Sequence, residues 1–222
     1  EDVERTHPFD VSVSAVDAAE RLRRVREDLP LEELAPVAIG LEEGAALRGW
    51  VRREGAKRTL ETGLGFAVST LFICEALLAN DGGRHVAIDP RLPNSHVDAG
   101  LWTLEQAGVR ELVEFYAEGS ETVLPRLLGE GKRFDLAFID GNHRFEGVFL
   151  DLVYCGRLLR PGGIVFTDDV QLPAVRRAVG FCVANLHWIG EEEGSEADHE
   201  WLVLRTGPHE DYRRPFDDFA EF

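Results

Sequence analysis

Two groups of residues in this 222-residue chain have the types and spacing to do chemistry. The first is Glu61-Thr62-Gly63-Leu64-Gly65, with Asp89 following 26 residues after Gly63. A glycine pair lets the backbone turn tightly and approach a ligand, and a helix starting there offers unpaired amides. An acid at the end of the next strand can accept both hydroxyls of a ribose. Glu61 would repel a pyrophosphate and suits an amino group. A ribose with an amino group and no phosphate describes S-adenosylmethionine (SAM). A nicotinamide cofactor would favour a third glycine at position 68, where this chain has Val68. A strand-to-helix turn that merely needs glycine is the plainer alternative. The second group is Asp140-Gly141-Asn142-His143 together with Asp168-Asp169. Three carboxylates can hold a hard divalent cation through oxygen and leave positions for water or substrate. No second His or Cys is close in sequence, which argues against a zinc-type donor set. His143, three residues past Asp140, is placed to act as a base near neutral pH. An Asp that caps the next helix and a solvated loop histidine are the plainer readings here.

These residues meet only if the elements between them place them together. Apolar spacing predicts helices over Ala15–Asp28 and Glu43–Arg53, then alternating strands and helices. The strands are Arg58–Thr62, His85–Ile88, Leu112–Tyr116, Phe134–Ile139 and Ile164–Thr167. The helices between and after them are Ala67–Ala79, Ser95–Ala107 (capped by Asn94), Ser120–Leu128, Phe145–Leu159 and Pro173–Asn185. Pro161-Gly162-Gly163 reads as a turn. Leu186–Ile189 and Trp201–Arg205 have no helix between them and read as an antiparallel pair, with Glu191-Glu192-Glu193 at a solvated hairpin tip. Such alternation means a doubly wound, mostly parallel α/β sheet covered on both faces. Ligands in that architecture bind at the carboxyl ends of the strands, where both groups of residues lie. His85, His96 and His187 carry no assigned role.

Composition removes other classes. With 41 acidic against 24 basic residues the net charge is −17, and a polyanionic partner would need the cations this chain lacks. Nucleic acid and membrane are therefore not expected as partners. The longest apolar stretch, Val68–Ala79, is broken by Glu75 and is too short to span a bilayer. The N-terminal residues lack the pattern of a signal peptide. Cys74, Cys155 and Cys182 are far apart in apolar runs and read as buried thiols in a reducing, cytoplasmic setting.

From about Gly44 to Arg205 the sequence resembles class I SAM-dependent O-methyltransferases, in the catechol O-methyltransferase-like group and its bacterial small-molecule relatives. LETGLGFAVST resembles the first SAM motif, AIDP the ribose-binding strand end, and AEGSETVLPRLL the segment that contacts adenine. FDLAFIDGNH and LLRPGGIVFTDDV resemble the metal and catalytic segments. The resemblance implies a seven-stranded, Rossmann-like methyltransferase fold. Residues 1–42 would be accessory helices, 43–207 the methyltransferase domain and 208–222 an acidic tail. It implies SAM contacts at Glu61, Gly63, Gly65, Ser69, Asp89, Gly119, Ser120 and Asp140. A divalent metal, Mg²⁺ in the family, would sit at Asp140, Asp168 and Asp169, the last in place of the family's Asn. His143 takes the place of the family's Lys base. The expected partner is a small-molecule acceptor, with a homodimer left open. A metal-dependent oxygenase on the same fold and a non-catalytic SAM-binding module are the alternatives.

Overall fold

The computed structural model describes residues 15–34, 37–93, 95–207, 215 and 217–222. Residues 1–14, most of the expected tail and the cap expected at Asn94 lie outside that set. Helices α1 (Ala15–Glu27), α2 (Leu31–Leu34) and α3 (Leu41–Arg53) precede the first strand. Then follow β1 (Arg58–Thr62), α4 (Val68–Ala79), β2 (Arg84–Ile88), α5 (Val97–Ala107), β3 (Val113–Tyr116), α6 (Ser120–Gly129), β4 (Phe134–Ile139) and α7 (Phe145–Leu158). The chain continues through β5 (Leu159–Thr167), α8 (Pro173–Leu186), β6 (Ile189–Glu196) and β7 (His199–Arg205).

The seven strands lie in the order β3-β2-β1-β4-β5-β7-β6. The first five run parallel, and β7 is antiparallel to both β5 and β6. The order reverses beside β1, which makes the carboxyl ends of β1 and β4 the natural crevice of the sheet. Register then decides what the crevice contains. Thr62 pairs with Ile88 and with Ile139, and Ile139 pairs with Thr167. Gly63, Asp89, Asp140 and Asp168 are the next residues on four adjacent strands, so they leave the sheet in one row.

Side chains of the central strands are buried on both faces, as parallel strands under two helical layers must be. Leu136, Phe138, Ile164 and Phe166 pack on the α3–α4 side, whereas Ala137, Ile139 and Val165 pack with residues of α6, α7 and α8. Helix α4 is buried almost all round, from Val68 to Leu77. The helices ahead of β1 share this core. Leu22 of α1 is fully buried in a cluster with Leu71 and Leu104, and α3 buries Leu47, Trp50 and Val51.

Two local expectations are corrected. The sixth strand starts at Ile189, and Leu186 ends α8, so Glu191-Glu192-Glu193 lie inside an edge strand rather than at a hairpin tip. The acidic residues suit an edge, where charge deters pairing with another chain. They also have partners: Glu191 pairs with Arg205, and Glu192 accepts the Trp50 indole N–H at 3.1 Å. Glu196 accepts the backbone N–H groups of Glu42 and Glu43 at the start of α3, at 2.9 and 3.2 Å. Pro161-Gly162-Gly163 is an irregular opening to β5, marked by a shift in its register with β4, rather than a separate turn.

Candidate functional site

At the end of β1 the chain turns through Gly63, whose φ is +91°. A Cβ there would lie 2.0 Å from the Asp140 carbonyl oxygen, so any side chain would force the ends of β1 and β4 apart. The Asp89 carboxylate faces this turn from β2. Its Oδ2 accepts the Leu64 and Gly65 amides at 3.1 and 3.3 Å, and its Oδ1 accepts the Arg91 amide at 3.2 Å. A carboxylate has about four lone-pair positions, so acceptor capacity remains for a ribose. Gly119 caps α6 and Ser120 is its first residue.

The glycine turn, Asp89 and the start of α6 line one cavity of about 1020 Å³. Gly63, Gly65, Asp89, Gly119 and Ser120 lie on its wall with Asp140, His143, Asp168 and Asp169. Ligand pockets span roughly 300–1,000 Å³, so there is room for a nucleoside-sized ligand and a second small molecule. Glu61 and Ser69, expected as ligand contacts, do not line it. Glu61 is fully buried beneath the turn. One of its oxygens accepts Ser69 Oγ at 2.9 Å; the other accepts Thr70 Oγ1 and lies 3.1 Å from His85 Nε2. The two hydroxyls tie the first turn of α4 to β1, and with the His85 ring beside them they enclose the carboxylate. His85, which the sequence left without a role, is thus a structural partner of Glu61.

The carboxylates after β4 and β5 form a second wall. Asp169 has φ +58°, a strained conformation for a residue with a side chain. Two imidazoles flank it: His143 Nδ1 lies 3.3 Å from Oδ2, and His199 Nδ1 lies 3.2 Å from Oδ1. His143 Nε2 also lies 3.3 Å from Asp140 Oδ1. Behind Asp168 is Glu43 of α3, only 1% exposed, with no hydrogen bond to its Oε1. Burial, then the charge of Asp168 and Asp140, pushes the Glu43 carboxyl up to about 10. Burial and the charges of Asp140 and Asp169 push Asp168 up to about 8. Four carboxyl groups this close cannot all ionise unaided. The set is oxygen-rich and partly unpartnered, the chemistry a divalent cation takes; donor atoms of Asp140, His143 and Asp169, and those of Asp168, Asp169 and His199, lie within 4.8 Å of one another.

Glu43 and His199 were missed from sequence. A signal existed for Glu43, which shares the buried face of α3 with Leu47 and Trp50. His199 had none, because only the β5–β7 pairing brings it near Asp169.

Beneath the cavity, α7 contributes a second missed acid. Asp151 is fully buried, with the Ser120 and Thr62 hydroxyls beside it. Burial pushes it up to about 6, against the pull of the nearby Ser120 and Thr62 hydroxyls. A carboxyl raised in the folded state contributes stability below its unfolded value near 4, and this is lost as pH rises through about 6. Asp151→Asn is therefore expected to stabilise the fold at pH 8 by about 1–3 kcal/mol, and by less at pH 5. Urea denaturation at both pH values checks this; an equal or negative change at pH 8 would contradict it.

A family profile described as a methyltransferase domain matches residues 60–170. Caffeoyl-CoA O-methyltransferase from Petroselinum crispum is 28% identical over 165 residues, covering 71% of this chain and 66% of that protein. The enzyme of the same name from Populus kitakamiensis is 27% identical, covering 68% and 63%. The chain thus spans just under two thirds of the length of these relatives. Among solved structures, the O-methyltransferase TomG from Streptomyces achromogenes, in complex with SAM, aligns at TM-score 0.66 and 25% identity, covering 87% of this chain and 90% of that one. An O-methyltransferase from Bacillus cereus in complex with SAH aligns at TM-score 0.68 and 20% identity, covering 89% and 94%.

Proposed function

Because this chain belongs to the methyltransferase-domain family, we propose that it moves a methyl group from SAM to an oxygen of a small-molecule acceptor, with a divalent cation assisting. One observation carries the reading: the glycine turn, Asp89, and Asp140, Asp168 and Asp169 with His143 all line a single cavity. In this reading the Gly63–Gly65 turn and Asp89 hold the nucleoside, with Asp89 accepting the ribose hydroxyls. The α6 start at Gly119 and Ser120 flanks the base, and Asp140 borders both halves of the cavity. Asp140, Asp168 and Asp169 would hold the cation. Bound SAM supplies the electrophilic methyl group, and a bound cation lowers the pKa of the acceptor oxygen. His143 takes the proton from that oxygen, and the rigid strand ends keep the reacting groups in line. The alternative, an oxygenase, would use the same carboxylates and His143 with iron, and strong SAM binding with no oxygen consumption tells the two apart.

Titration calorimetry with S-adenosylhomocysteine (SAH) tests the cofactor half. Wild type is expected to bind it, and Asp89→Ala to bind about ten- to a hundredfold more weakly, the loss of a charged acceptor. Unchanged affinity in the variant removes Asp89 from the site, and no binding by wild type overturns the reading. SAH release from SAM across a panel of hydroxylated small molecules tests the transfer itself.

A further inference from the structure

We propose that His199 completes the cation site as a nitrogen donor, so that the site takes a first-row transition dication such as Mn²⁺ in preference to Mg²⁺. The inference rests on the metal-assisted reading above and gives that metal a chemical class. Donor atoms of Asp168, Asp169 and His199 lie within 4.8 Å of one another, close enough to share one ion. His199 opens β7, and the pairing of Thr167 with Leu202 brings that end of the strand beside the Asp168–Asp169 turn.

The arrangement is held rather than accidental. The Val170 amide donates to the Glu200 carbonyl at 2.9 Å, fixing the turn to β7 one residue from His199. The Gln171 side chain accepts the Glu200 amide at 2.9 Å and donates to Asp169 Oδ1, bridging both strands. Glu43 supplies the independent sign that a cation belongs here. Its side chain is buried against Asp168, and its Oε1 has no protein donor. An imidazole resting against Asp169 does not satisfy Glu43, whereas an ion bound through Asp168 neutralises the whole group.

Nitrogen changes which ion fits. Mg²⁺ demands oxygen ligands in a near-ideal octahedron and sheds water reluctantly. Imidazole suits the later divalent ions, and mixed nitrogen and oxygen sites bind them more tightly along the first row. His143 groups instead with Asp140 and Asp169, and in the reading above it takes the acceptor's proton.

Mn²⁺ and Mg²⁺ titrations of the metal-free protein, with pulsed electron paramagnetic resonance of the bound Mn²⁺, test the assignment. Wild type is expected to hold Mn²⁺ more than about tenfold tighter than Mg²⁺ and to show ¹⁴N coupling from a bound imidazole. His199→Ala should lose that coupling and about ten- to a hundredfold of Mn²⁺ affinity, with Mg²⁺ affinity little changed. SAH binding in the variant confirms that it is folded; His199 is a partly exposed side chain, so it should be retained. Mn²⁺ bound without nitrogen coupling, or coupling that survives in His199→Ala, overturns the inference and leaves the metal-assisted reading standing. Failure of wild type to bind either cation overturns both.

Discussion

Replacing His143 by Ala is expected to lower kcat by about 10²–10⁴ while leaving SAH affinity nearly intact, because a base that acts on the acceptor does not touch the cofactor. The sign of the pH effect follows from its neighbours. The Asp140 carboxylate beside it raises the His143 pKa, burial opposes this, and Asp169 and Asp168 add to the rise. A raised imidazole stays protonated to higher pH than an ordinary one, and a protonated imidazole cannot accept the acceptor's proton. The wild-type rate should therefore climb with pH through a step above the ordinary histidine value. Cation binding neutralises the carboxylates and should move that step to lower pH. Rate profiles at several cation concentrations, for wild type and variant, measure this. If His143→Ala keeps both its rate and its pH step, the lowered pKa of the acceptor is sufficient and His143 is a loop residue.

What the sequence could reveal here depended on how local the cause was. The β4 and β5 cores are short, largely apolar runs followed at once by Asp, and β1 is marked by the glycine turn that ends it. Once those ends are known, parallel register puts Gly63, Asp89, Asp140 and Asp168 in a row. Glu61 shows the opposite case. Its residue type and position suggest a ligand contact, but the hydroxyls of Ser69 and Thr70 and the His85 ring close around it. Nothing in its own segment announces a ring from β2. His199 and Glu43 reach the cluster from distant segments, through an antiparallel pairing and a helix face respectively. The acidic run in β6 misled for a related reason. Three glutamates in a row look solvated until Trp50 and Arg205, brought by other elements, give two of them partners.

The final prediction sets stability against cation binding at one residue. Asp168→Asn is expected to melt higher than wild type without added metal, and to lose the rise in melting temperature that Mn²⁺ or Mg²⁺ gives wild type. The first half follows from linkage. Burial, then the charges of Asp140 and Asp169, raise Asp168 to about 8, against a hydrogen bond with Glu43 that lowers it. A carboxyl raised this way contributes stability below its unfolded value, which is lost as pH rises through about 8. At neutral pH wild type therefore carries strain that a neutral amide of the same shape removes. The second half follows from mass action. A cation at a hundred times its dissociation constant stabilises the folded state by about 2.7 kcal/mol. Each kcal/mol is worth about 2–4 °C in a chain of this size. The amide keeps the shape but not the charge, so that gain should vanish along with most methyl-transfer activity. Thermal melts of both proteins, with chelator and with cation, read the two effects separately. A variant that melts lower without metal contradicts the repulsion argument. One that still gains several degrees from the cation, or stays fully active in excess chelator, removes Asp168 from the metal site.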